Sequence, residues 1–110
     1  MTALNEIGKR AYDHCVKVGF RGEGVKGPTP LETHALIHAE ISEATEEVRN
    51  SKPHFYVENG KPEGEATELA DVIIRILETA HVNDWDMEYI INKKMDYNET
   101  RSHKHGGKTL

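Results

Sequence analysis

Apolar residues recur at spacings of three and four through most of this chain, while glycine and proline gather in two stretches, residues 19–28 and 50–62. A period near 3.6 is the mark of helices that bury one face, and it leaves little room for strands. Leu4, Ile7, Ala11, Cys15 and Val18 form the first stripe, predicting a helix over about 2–18. Residues 19–28 (GFRGEGVKGP) read as a loop. Thr29-Pro30-Leu31-Glu32 then supplies an N-cap, a proline at the first helical position and a capping-box acid, opening a helix over 30–49. Pro53, Asn59-Gly60 and Pro62 make 50–62 a second loop, whose centre, His54-Phe55-Tyr56-Val57, suits a short extended piece or a lid. A third helix is expected over about 63–81. A fourth should run over about 86–101 with an aspartate as its cap, followed by a basic Gly-Gly tail at 102–110. Short connections favour antiparallel neighbours, so the expectation is one all-α domain over residues 1–110, an antiparallel four-helix bundle.

At 110 residues the chain supports one domain, and 36% apolar content is low for a domain standing alone. Part of the core is therefore expected to be completed by self-association, as a homodimer or a dimer of dimers. A mean hydropathy of -0.68 and the lack of a long apolar run argue against a membrane partner. No basic-then-apolar opening suggests a signal peptide, and Cys15 is alone, which fits a reducing cytoplasm. Net charge is -5, but the segment from Lys93 onward carries +3, leaving -8 on the rest. An acidic body with a basic end lacks the broad basic face of a nucleic-acid binder. It suits a site that holds cations on carboxylates and an anion nearby.

Glu40, Glu43 and Glu47 fall within roughly 60° of arc on the second helix. Ile37, Ile41, Ala44 and Val48 form the neighbouring arc, which is expected to be buried, so the acids lie beside the core and not opposite it. The third helix repeats the arrangement, with Glu68 and Asp71 beside Leu69, Val72, Ile73, Ile76, Leu77 and Ala80. Acids from two helices converging on one groove repel each other. Hard divalent cations relieve that repulsion, and all-oxygen ligation selects Mg²⁺ or Mn²⁺. Arg75, one turn beyond Asp71, is an alternative source of positive charge. Solvated acids paired with lysine and arginine would account for the same spacing.

Glu40-x-x-Glu43 followed by Glu68-Leu69-Ala70-Asp71 resembles the MazG-like all-α nucleotide pyrophosphohydrolases, whose signature is EExxE on one helix and ExxD on the next. The resemblance spans roughly residues 31–108. It implies a MazG-like bundle in which Glu40, Glu43, Glu68 and Asp71 bind Mg²⁺ (Mn²⁺ as a substitute) and a nucleoside triphosphate is cleaved to a monophosphate and pyrophosphate. Ala39 stands where the family has its first acid, leaving Glu47 or a water to supply what is missing. Glu43 or Glu47 is read as the catalytic base. Lys94, Asn98 and Arg101 form one stripe on the fourth helix, expected to face the bundle, and KxxxNxxR after ExxD is similar to the family's phosphate-contacting residues. Lys108, in His105-Gly106-Gly107-Lys108, extends that phosphate-binding set. Cations near a helix C-terminus are also favoured by the dipole. A phosphoribosyl-ATP pyrophosphatase and a nucleotide-binding module without turnover share these features.

Other motifs are set aside. His103-x-His105 lacks further soft ligands, His34 and His38 are read as structural or exposed, and Cys15 as core. Glu78-x-x-His81 is one half of a di-iron bundle motif whose second half is missing.

Overall fold

In the computed structural model, which describes residues 1–101, the chain is mostly helical. Its elements are α1 (Ala3–Lys17), α2 (Pro30–Arg49), a hairpin of β1 (Tyr56–Glu58) and β2 (Lys61–Glu63), α3 (Glu65–Val82) and α4 (Met87–Glu99). The capping box opens α2 with both reciprocal bonds made: Glu32 N–H donates to Thr29 Oγ1 (3.2 Å), and Thr29 N–H donates to Glu32 Oε1 (2.9 Å). The second loop contains more order than the sequence suggests. Asn59 and Gly60 have φ of 52° and 78°, a pair of positive values that matches the twist of a tight hairpin. The register pairs Tyr56 with Glu63 and Glu58 with Lys61. Alternation then puts Tyr56, Glu58, Lys61 and Glu63 on one face.

The central element is α3, with α1 and α2 packed along it. On the α1 side, the bare backbone of Gly8 lies against the carbonyl of Leu77, where a Cβ would collide. The Tyr12 and His81 rings meet at 4.9 Å. Ala44, Leu77 and Ala80 are the buried apolar side chains, joined by the polar Thr33 and Glu78. That is a small core for a domain of this size. The apolar arc expected to be buried on α2 is covered in part: Ala44 is enclosed, but Val48 is 54% exposed. Ile73 on α3 is likewise 54% exposed.

The fourth helix departs from the expected bundle. Its packing is against α1, and it has no packed face on α2 or α3. Asp84 takes a positive φ of 57°, which turns the chain after α3. Asp86 then accepts hydrogen bonds from Tyr89 N–H and from Asn5 Nδ2, both 3.2 Å, tying the start of α4 to the start of α1. Beyond that anchor Ile90, Ile91 and Met95 are exposed, so the stripe expected to face the bundle faces outward in the single chain. The radius of gyration, 16.7 Å, exceeds the roughly 13 Å of a compact chain of this length. No described helix is long and apolar enough to cross a membrane.

Candidate active site

Antiparallel packing of α2 on α3 brings the acids of the two helices together. Carboxylate oxygens of Glu40, Glu68 and Asp71 lie within 4.8 Å of one another, and so do those of Glu47, Glu63 and Glu68. Glu68 belongs to both groups and is the centre of the site. Burial raises its pKa to about 7, reinforced by a hydrogen bond with Glu43 and by the charges of Glu43, Asp71 and Glu40. Glu43, expected as a fourth ligand, stands in neither group of three; it is exposed and reaches the cluster through Glu68. Ala39, where the resemblance leads one to expect an acid, is exposed, and Glu40, Glu68 and Asp71 meet without it.

The hairpin closes one side. Its shared face, with Glu43, Glu47 and Glu68, lines an open cleft of about 450 Å³ that also includes Lys52. The Tyr56 hydroxyl donates to Glu47, 3.1 and 3.2 Å from its two oxygens. Burial and that bond push the Tyr56 pKa up to about 12. Lys61 pairs with Glu63 at 3.2 Å. Sequence reading missed Tyr56 and Lys61 as site residues, although Asn59-Gly60 between short alternating runs was the available signal.

On the other side, Glu40 and Asp71 open into a hollow of about 300 Å³ shared with Cys15, Arg75 and Glu78. Arg75 Nη2 is 3.5 Å from Glu40 Oε1, a long contact. Glu78 is claimed by a different arginine. Arg21, reaching from the first loop, donates from Nε to Oε2 (2.9 Å) and from Nη2 to Oε1 (3.2 Å), a nearly buried fork. Glu78 is thus paired with Arg21, and His81 packs its ring at a tilt against Tyr12, so each half of the Glu78-x-x-His81 motif has a packing or pairing partner. The Cys15 thiol is half-buried, and its pKa is raised by burial and then by Glu78, which keeps it protonated.

The expected phosphate-binding residues stand apart from these acids in the single chain. Lys94 on α4 lies 5.2 Å and Arg101, just past the end of α4 and not on it as expected, 5.7 Å from the Tyr97 ring. Lys94, Asn98 and Arg101 line neither of the two hollows beside the carboxylates. Lys108, His103, His105 and the Gly106-Gly107 pair fall outside the described residues. The cations beside the acids are Lys52, Lys61 and Arg75. A larger apolar cavity of about 510 Å³, with Trp85 and Ile37 in its walls, opens between the far ends of α2 and α3.

The donor set fits a hard divalent cation. An octahedral Mg²⁺ places adjacent oxygens about 3 Å apart and opposite ones about 4.2 Å apart, and carboxylate oxygens within 4.8 Å of one another are close to that range. No nitrogen or sulfur donor joins either group. Comparison with protein-family models, with characterised proteins and with solved structures yields no match to this chain.

Proposed function

We propose that this protein is a divalent-cation-dependent nucleoside triphosphate pyrophosphohydrolase of the MazG-like kind, producing a nucleoside monophosphate and pyrophosphate. The observation that supports it most is the meeting of Glu40, Glu68 and Asp71 oxygens at the α2–α3 seam, where the Glu40-x-x-Glu43 and Glu68-x-x-Asp71 motifs converge. Burial and the neighbouring acids together resist ionisation of Glu68 and push its pKa up to about 7. Mg²⁺ held there would neutralise that repulsion and the charge developing on the phosphates. Glu40, Glu68 and Asp71 are the ligands, with Glu47 and Glu63 on the second side of Glu68. Glu47 accepts the hydrogen bond of the Tyr56 hydroxyl, which holds it in place. Glu43, exposed at the rim and hydrogen-bonded to Glu68, is placed to orient a water and accept its proton.

Self-association completes this reading. The exposed apolar residues of α2, α3 and α4 need covering, and an outward-facing α4 can offer Lys94, Asn98 and Arg101 to the carboxylates of a second copy. Ala39 favours one rival, a module that binds nucleotide without turning it over.

The test is pyrophosphate release from the eight common nucleoside and deoxynucleoside triphosphates with Mg²⁺ or Mn²⁺. Turnover is expected with at least one, falling by at least about a hundredfold in Asp71→Asn and Glu43→Gln while helicity is kept. Nucleotide binding without pyrophosphate in every case would favour the module.

A further inference from the structure

Arg75 is the one described arginine near the carboxylates whose hydrogen bonding is incomplete. Its Nε is buried and has no partner among the described residues, and its hydrogen bond to an acid, Glu40, is long at 3.5 Å. Arg21, by contrast, makes two short bonds to Glu78. Since Arg21 already neutralises Glu78, the acids left for Arg75 in the shared hollow are Glu40 and Asp71. A guanidinium has five donors and gains most from a bidentate oxygen partner. Held loosely beside Glu40, Arg75 supplies positive charge but leaves much of that capacity unused. The side chain is about a third exposed, so it has room to turn.

We propose that Arg75 is a displaceable counter-charge. It neutralises Glu40 while no divalent cation is bound, and it transfers to a phosphate oxygen of the incoming polyphosphate when the cation takes up Glu40. Cation and polyphosphate then reinforce each other: the cation frees the guanidinium, and the phosphate removes the competitor for Glu40. This rests on reading Glu40, Glu68 and Asp71 as cation ligands, and it adds a phosphate-binding residue contributed by the same chain as those acids.

Titration calorimetry with Mn²⁺ alone, and with pyrophosphate in the presence of Mg²⁺, tests it in the full-length protein. Removing a unit charge a few ångströms from the ligands should strengthen cation binding by about tenfold. Arg75→Met is therefore expected to bind Mn²⁺ about tenfold more tightly and pyrophosphate at least about tenfold more weakly. Arg75→Lys keeps the charge without the fork, so its Mn²⁺ affinity should stay near wild type while pyrophosphate binding weakens. A merely structural role would weaken both ligands together. Mn²⁺ affinity that is unchanged or lower in a folded Arg75→Met protein overturns the proposal. Should that variant not fold, unchanged pyrophosphate binding in Arg75→Lys does so. Opposed shifts without turnover of any nucleotide would uphold Arg75 and remove the hydrolase reading; turnover without the shifts would do the reverse. A wild type that binds no Mn²⁺ removes both.

Discussion

Burial and three neighbouring carboxylates all act against ionisation of Glu68, so its pKa rises from the ordinary value of 4.5 to about 7. Between those values the folded protein holds a proton that the unfolded chain has released. Stability conferred by this group is therefore present below about pH 4.5 and is lost as pH rises toward 7. In chelator, the melting temperature should fall from pH 5 to pH 8. Mg²⁺ should reduce that fall, because the cation takes over from the proton, and Glu68→Gln should flatten it in chelator. A pH-independent melting curve for the wild type in chelator would contradict the crowding. The motif residues Glu40, Glu68 and Asp71 were legible from helical spacing, since three- and four-residue steps put side chains on one face. The displacement of Glu43 to the rim was not. It depends on how far α2 is rotated about its axis against α3, which spacing along one helix does not determine.

Local chemistry made the start of α2 readable, because Thr29, Pro30 and Glu32 carry the whole signal within four residues. The second loop's expected short extended piece corresponds to β1, but its pairing with β2 was not legible, since each strand is three residues long and the Asn59-Gly60 turn is its main mark. Contacts between distant elements were least legible. Arg21 and Glu78 are 57 residues apart, and nothing in either neighbourhood announces the pair. That pair fastens the first loop to α3. Arg21→Met would leave Glu78 buried and unpaired, at a cost on the order of 3 kcal/mol. Urea unfolding should show that loss, with Arg21→Lys partly restoring stability. A variant as stable as wild type would mean the bridge contributes no net stability.

At the scale of the whole molecule, helix boundaries were predicted to within about two residues, but the direction of α4 was not. Asp84's positive φ and the Asn5–Asp86 bond tie its start to the start of α1 and turn it away from α2 and α3, choices that no apolar stripe records. The outcome is an open chain with large apolar residues exposed on every helix, most of them on α2, α3 and α4. Sedimentation equilibrium is expected to give a dimer or a larger closed assembly. Ile73→Glu should dissociate it while leaving helicity largely intact; a wild type that is monomeric at micromolar concentration would contradict this.

Crystals soaked in Mn²⁺ and measured for anomalous scattering give the most direct test of the carboxylate seam. The prediction is a strong peak about 2.2 Å from oxygens of Glu40, Glu68 and Asp71, lost in Asp71→Asn. No peak there, with those three side chains ordered and turned to solvent, would contradict it.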